Sequence, residues 1–90
     1  IKLISKEWAK KNITINGIVP GNIIFKDSTW DLKIKKNPKK TKLYIKKNVP
    51  INAFGSPNDI FEACKMISEN SSKFVTGSLF KLDGGQTKSL

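Results

Sequence analysis

Apolar residues recur at helical spacing at the start of the chain. Ile1, Ile4 and Trp8 stand at positions i, i+3 and i+7, which predicts a helix over residues 1–11. Asn12 follows as a residue that ends helices, whereas no Ser, Thr, Asp or Asn precedes the stripe as an N-cap. We therefore expect the chain to begin in the middle of a helix.

Two apolar runs predict strands. Residues 13–19 are almost continuously apolar, as in a strand buried on both faces of a parallel sheet, and residues 78–82 form the second run. Gly17 within the first run suggests that another backbone or a ligand lies close to it. The first run ends at Pro20-Gly21, and these residue types are compatible with any turn.

The clearest helix start lies between these strands. Ser56 is a capping residue, Pro57 occupies the first helical position and Asp59 completes a capping-box pattern. An apolar stripe with helical spacing follows: Ile60, Ala63, Cys64 and Ile67. We expect the helix to end at residues 70–72, and we expect Cys64 to be a buried small hydrophobic side chain.

The order of strand, helix-containing crossover and strand predicts a right-handed βαβ unit and places the chain in the α/β class. Two parallel strands need further neighbours and cover on both faces of the sheet. Together with a first helix that lacks a start, this predicts that the 90 residues are the C-terminal piece of a larger α/β domain.

Lysine dominates the segment between the first strand and the capped helix. Residues 33–47 hold eight lysines around Leu43, Tyr44 and Ile45, and Pro38 and Pro50 interrupt any long helix. We expect a mostly solvated excursion that leaves the sheet and returns to it.

The formal net charge is +10, and all 17 basic residues are lysine. Two interpretations of the lysine-rich segment remain open: an electrostatic funnel for an anionic cofactor or substrate, and a solvated surface produced by compositional drift toward Lys, Ile and Asn. A small basic nucleic-acid-binding protein is the rival function. The absence of arginine disfavours it, since base and bidentate phosphate recognition favour arginine.

Missing residue types exclude several kinds of site. Without histidine there is no Ser-His-Asp or Cys-His arrangement, and one cysteine without histidine leaves no zinc site, so we predict no metal. A single cysteine also excludes an internal disulfide, which suits a reducing cytoplasm. No apolar stretch approaches the roughly 20 residues of a membrane span, and charge interrupts the N-terminal segment too early for a signal peptide.

Five short motifs, in this order, resemble the C-terminal part of a classical short-chain dehydrogenase/reductase of the 3-oxoacyl-acyl-carrier-protein reductase type. They are Asn16 with Pro20-Gly21, Pro50 with Phe54-Gly55, Pro57-Asn58-Asp59-Ile60, Thr76-Gly77, and Asp83-Gly84-Gly85. The resemblance implies a Rossmann-type doubly wound parallel sheet, of which the chain forms the last two strands and flanking helices. It further implies that residues 1–90 are the C-terminal fragment of one domain, with residues 22–49 as a variable substrate lid.

The resemblance also implies NAD or NADP as cofactor and hydride transfer between a carbonyl and an alcohol. In this family the backbone just after Pro-Gly binds the nicotinamide carboxamide, so the implied cofactor-binding residues are Pro20, Gly21, Asn22 and Ile23. The position agrees with a general rule, because ligands of open α/β sheets bind beyond the carboxyl ends of the strands.

The implied substrate lid contains Phe25, Ser28, Thr29 and Trp30. Phe25 departs from the family pattern, which commonly has a threonine here near the cofactor. Ser28 or Thr29 would supply that hydroxyl instead, or the contact is absent. Two roles stay open for Trp30: it packs the lid onto the body, or it helps to exclude water from hydride transfer.

No catalytic residue is assigned within the chain. Tyr44 is followed four positions later by Asn48, not by the lysine of a Tyr-x-x-x-Lys pair. The resemblance places the catalytic Ser, Tyr and Lys and the Gly-rich turn upstream of Ile1. We therefore expect the isolated chain to be inactive. The resemblance further implies that the intact enzyme is a homodimer or homotetramer. That enzyme would act on a small-molecule substrate, without nucleic acid or membrane; a truncated, non-catalytic remnant is the other alternative.

Overall fold

The computed structural model describes residues 1–69 and 72–87. Within these residues the chain forms four helices and two strands, in the order α1 (Lys2–Ala9), β1 (Gly17–Pro20), α2 (Thr29–Lys36), α3 (Pro38–Asn48), α4 (Pro57–Ser68) and β2 (Leu79–Leu82). The strands are parallel neighbours, with Gly17 opposite Leu79 and Pro20 opposite Leu82. The predicted α/β class and the parallel pairing are confirmed.

Helix α1 ends in a Schellman motif. Asn12 takes a left-handed backbone conformation with φ 65°, its N–H donates to the carbonyl of Ala9, and the N–H of Ile13 donates to that of Trp8. Asparagine tolerates this conformation better than most residues, so Asn12 ends the helix as predicted. The start of α1 has no side-chain cap.

Strand β1 is shorter than the predicted run 13–19, because the asparagine before it uses its side chain in place of a strand ladder. Asn16 Nδ2 donates to the carbonyl of Val75 at 3.2 Å, and its Oδ1 accepts from the N–H of Ser78 at 3.1 Å. This clamp holds the start of both strands together. Regular pairing begins only at Gly17.

Burial of the first strand on both faces is not observed in this chain. Ile13 is 47% exposed and Val19 is 42% exposed, because among the described residues α4 alone of the helices packs extensively on β1. The group close to Gly17 is a side chain: a Cβ there would meet Leu79 Cδ2 at 2.9 Å. Among the described residues no backbone atom is the close neighbour expected at Gly17, and the expectation of a ligand there stays a prediction.

The lysine-rich excursion is a hairpin of two helices. Asn37 ends α2 and also caps α3, where its side chain accepts from the N–H of Lys40 at 3.1 Å. Pro38 is the first residue of α3, a position where its missing N–H is not needed. The two buried apolar residues of the described chain are Ile45, within α3, and Val49, the C-cap of that helix.

Helix α4 starts at the predicted capping box. The Ser56 hydroxyl accepts from the N–H of Asp59, and the Asp59 carboxylate accepts from the N–H of Ser56 at 2.7 Å. The helix ends at Ser68, and Asn70 and Ser71 of the predicted terminator lie outside the described residues.

The prediction that Cys64 is buried was wrong. Its side chain is exposed and lines a groove beside β1 together with Thr14 and Ile18, which the described part of the chain leaves open. Among the described residues no helix has the length and apolar character of a membrane span.

Substituting Gly21 should destabilise the junction between the two strands. An added Cβ would lie 2.8 Å from the backbone Cα of Asp83, so Gly21→Ala is expected to lower the free energy of unfolding by about 1–3 kcal/mol. Gly55→Ala is the matched control, because its Cβ would meet the mobile Cδ1 of Ile23 and should change stability by about 1 kcal/mol or less. Urea unfolding of both variants tests this difference, which equal losses would contradict.

Candidate functional site

The carboxyl ends of the two strands form a tight corner. The Gly21 N–H donates to the carbonyl of Leu82 at 2.8 Å, which continues the ladder one residue past β1. A Cβ on Gly21 would lie 2.7 Å from Asp83 Cβ, so only glycine allows the ends to approach this closely. The predicted corner Pro20-Gly21 thus lies at the edge of the sheet where ligands of α/β proteins bind.

Ile23 is held in a parallel bridge with Gly55. The Gly55 N–H donates to the carbonyl of Asn22 at 2.9 Å, and the Ile24 N–H donates to the carbonyl of Gly55 at 2.9 Å. In a parallel bridge the residue between the two bonded neighbours points its own N–H and C=O to the other side. Among the described residues, neither of these groups of Ile23 has a hydrogen-bond partner.

The hydrogen bonds of β1 reveal an open edge at the same end. Gly17 and Gly21 direct their N–H groups toward β2. Because backbone groups alternate in direction along a strand, those of Ile18 and Pro20 face away from β2. Pro20 belongs to the residues that face away, and since it has no N–H, it leaves no unpaired donor on that edge.

The side chain of Asn22 is already engaged. Its Nδ2 donates to Gln86 Oε1 at 2.7 Å, which ties the corner to the segment after β2. Together with Ile23, Phe54, Gly55 and Asp83, Asn22 lines a pocket of about 380 Å³. Among the described residues, the backbone N–H and C=O of Ile23 are unpaired, whereas the Asn22 amide is held in place by Gln86.

Asp83 shapes the turn after β2. Its Oδ2 accepts from the N–H of Thr87 and its Oδ1 from the N–H of Gly85, both at 3.0 Å. Hydrogen bonds from Thr87, and then from the Gly85 backbone, hold the pKa of the Asp83 carboxyl below its usual value. The turn also needs Gly84, whose φ is +62° and whose carbonyl accepts from Ile51.

The start of the predicted lid is organised by Ser28. This side chain is 7% exposed, and its Oγ accepts from the N–H groups of Phe25 at 3.1 Å and Asp31 at 3.2 Å. Ser28 therefore caps α2, and its hydroxyl oxygen is used for that cap. Thr29, the first residue of α2, is exposed, and Phe25 is 55% exposed.

Trp30 packs helices α2 and α3 onto the loop before α4. Its ring stacks on Tyr44 at 5.2 Å between centroids and contacts the tilted ring of Phe54 at 5.4 Å. Of the two roles left open for Trp30, these contacts favour packing. Phe54 also lines the pocket beside Ile23, so the rings of Trp30, Tyr44 and Phe54 connect the α2–α3 hairpin to the corner.

Two residues of the site were not singled out from the sequence. Gln86 lies 64 positions from Asn22, and no local pattern marks such a pair. Phe54 was noted only within the Pro-x-x-x-Phe-Gly motif, although its partner Trp30 was assigned to the lid. The Phe-Gly pair in that motif was the available signal.

Comparison with known proteins relates nearly the whole chain to one family of enzymes. The family model described as enoyl-(acyl carrier protein) reductase matches residues 1–87. The chain is 36% identical over 84 residues to the 3-oxoacyl-[acyl-carrier-protein] reductase of Chlamydia muridarum, covering 93% of this chain and 32% of that protein. It is 34% identical over 82 residues to the 2-dehydro-3-deoxy-D-gluconate 5-dehydrogenase of Formosa agariphila, covering 91% and 30% respectively.

Solved structures give the same relationship. The chain superposes on 4-hydroxyisoleucine dehydrogenase complexed with NADH with a TM-score of 0.81 at 31% identity, covering 99% of this chain and 35% of that one. It superposes on L-sorbose reductase from Gluconobacter frateurii complexed with NADPH and L-sorbose with a TM-score of 0.76 at 29% identity, covering 99% and 36%. The chain thus spans about a third of the length of the relatives it matches.

The hydrogen-bonded turn at Asp83 should make stability depend on pH. The pKa of Asp83 is lowered in the folded chain, so its contribution is complete above the unfolded pKa of about 3.9 and is lost as the pH falls through the folded pKa. Asp83→Asn should therefore flatten the fall in unfolding free energy below about pH 4. Asp31, whose pKa is also lowered, is present in both proteins and cancels. A carboxyl NMR titration that gives Asp83 an unshifted or raised pKa would refute this.

Proposed function

The chain belongs to the short-chain dehydrogenase/reductase family, and we propose that it forms the nicotinamide-side wall and substrate lid of an NAD(P)-dependent oxidoreductase. The proposed reaction is hydride transfer between a carbonyl and an alcohol carbon of a small molecule. The observation that carries the proposal is the outward-facing N–H and C=O of Ile23, held at the carboxyl ends of the strands.

These two backbone groups fit the nicotinamide carboxamide. A carboxamide presents one carbonyl acceptor and one NH₂ donor, and the Ile23 N–H and C=O match them as donor and acceptor. Pro20, Gly21 and Asn22 would form the wall beside them, with the Asn22 side chain fixed by Gln86. When bound, the nicotinamide nucleotide would supply or accept the hydride; NAD and NADP remain equal candidates.

The proposed lid covers residues 22–49, of which Phe25, Ser28, Thr29 and Trp30 were assigned from the sequence. Ser28 fixes the start of α2, and Trp30 anchors the helices on Phe54 at the pocket. The half-exposed ring of Phe25 supplies apolar surface at the front of the lid. An apolar lid over the reacting carbon would exclude water and strengthen the electrostatic interactions inside the site.

Proton transfer would have to come from residues outside this chain. The Tyr44 ring is stacked on Trp30, and the Asn48 side chain donates to the Tyr44 carbonyl. These contacts stabilise α3 and its packing on α2. We propose an intact cytoplasmic enzyme, a homodimer or homotetramer, to which the chain contributes the described wall and lid. Related proteins named as acyl-carrier-protein reductases and sugar dehydrogenases support this reaction class.

Nicotinamide nucleotide should perturb the backbone of Ile23. In ¹H–¹⁵N NMR spectra of the 90-residue chain, NADH or NADPH is expected to shift the amide signals of Asn22 and Ile23, whereas ADP-ribose, which lacks nicotinamide, should not shift them. Ile23→Pro removes the donor and, followed by the Asn22 amide signal, should weaken the affinity for the nucleotide about tenfold, which corresponds to ~1.4 kcal/mol.

Ile23→Ala is the matched control, because it shortens the side chain and keeps the N–H. It should retain the response to NADH. Both variants keep the Asn22 carbonyl and Ile24 N–H that bond Gly55, and far-UV circular dichroism checks that they fold alike. Equal shifts with ADP-ribose, or equal binding by Ile23→Pro and Ile23→Ala, would argue against the proposed wall.

A further inference from the structure

A second concave surface lies on the hairpin formed by α2 and α3. It has a volume of about 540 Å³, within the size range of small-molecule sites, and we call it the lysine groove. Its lining combines the aromatic rings of Trp30 and Tyr44 with three lysines, Lys33, Lys36 and Lys40. An apolar floor with a cationic rim suits a ligand that has an apolar body and an anionic group.

The charge of the hairpin is one-sided. Residues 29–48 carry eight lysines and a single acidic residue, Asp31. That carboxylate accepts from the N–H of Asp27 and pairs with Lys35 at 3.0 Å, and these contacts hold its pKa low. Among the described residues, the three groove lysines form no ion pair, so their charge is available to a ligand.

The walls of the groove are fixed before any ligand binds. The buried Thr41 hydroxyl lies 2.9 Å from the Asn37 carbonyl and 3.1 Å from the Lys33 carbonyl, which locks the joint between α2 and α3. On the floor, Trp30 and Tyr44 are stacked with 29° between the ring planes. The Lys33 ammonium lies 4.6 Å from the centre of the Trp30 ring.

The lysine groove is connected to the corner through one aromatic contact. Trp30 lines the groove and contacts Phe54, and Phe54 lines the pocket that also contains Asn22 and Ile23. The two concavities are therefore joined by the ring contact between Trp30 and Phe54. An extended ligand that spans the lid would place its two ends in these two environments.

We propose that the lysine groove binds the phosphate group of an organic phosphate, and that this group belongs to the substrate. Calling the ligand a substrate rests on the proposed function, whereas the binding of phosphate rests on the groove alone. Lysine is compatible with this role because its ammonium is a compact charge that attracts phosphate without fixed geometry, although bidentate recognition of phosphate, like that of carboxylate, favours arginine. Compositional drift accounts for the number of lysines, but it does not account for the clustering of three of them around two aromatic rings.

Phenyl phosphate is a direct probe of the groove, since it carries a dianionic phosphate on an aromatic body. The test uses the 90-residue chain with Trp8→Phe, which leaves Trp30 as the single tryptophan reporter. Phenyl phosphate should change Trp30 fluorescence saturably, because anion binding draws the Lys33 ammonium away from the ring. Replacing Lys33, Lys36 and Lys40 by Gln should weaken the affinity about tenfold.

The matched control removes the same charge from the same hairpin, by replacing Lys39, Lys42 and Lys46 with Gln. These exposed lysines do not line the groove, and the affinity should stay within about twofold of the parent. Lysine and glutamine have similar helix propensities, so both triple variants should fold alike. No saturable response, or equal weakening by both triple variants, overturns the proposal.

Two further arms separate the possible sources of binding. Inorganic phosphate should bind more weakly than phenyl phosphate, because it does not use the aromatic floor. A single-stranded oligonucleotide that binds more tightly than phenyl phosphate, and loses affinity equally in both triple variants, would assign the lysines to general polyanion attraction. None of these titrations uses nicotinamide nucleotide, so they fail or succeed independently of the wall at Ile23.

Discussion

The bridge between Ile23 and Gly55 is the constraint on which the rest of the site depends. Two backbone hydrogen bonds of 2.9 Å join the chain just after β1 to the loop just before α4. Because the bridge uses the carbonyl of Asn22 and the N–H of Ile24, it turns the peptide groups of Ile23 outward. The same bridge positions Phe54, next to Gly55, where its ring contacts that of Trp30. One short pairing thus places the proposed cofactor contact and the base of the proposed lid.

Sequence patterns predicted the features that depend on local rules. The capping box at Ser56, the helix end at Asn12 and the strand that leads to Pro20-Gly21 each follow from the stereochemistry or hydrogen bonding of a few adjacent residues. The parallel pairing followed from a helix between two apolar runs. The cofactor role of the corner came from family resemblance, since its own residues suit an ordinary turn equally well.

Local sequence patterns did not predict the features that depend on residues far apart in the chain. Asn16 shortened β1 because its side chain bonds residues about 60 positions later, and Asn22 meets Gln86 across a similar distance. Cys64 lies on an apolar stripe, but its burial would need cover that the described residues do not supply. In the lysine-rich segment, the two helices are held by Asn37 and Thr41, polar residues without a periodic apolar signal.

Amide hydrogen exchange tests the central claim most directly. The bridge requires the amides of Ile24 and Gly55 to exchange at least about tenfold more slowly than that of Ile23 in the free chain, and the Ile23 amide should become protected when NADH is added. An Ile23 amide that is already as protected as Ile24 in the free chain would contradict the account. So would an Ile23 amide whose exchange is unchanged by saturating nucleotide.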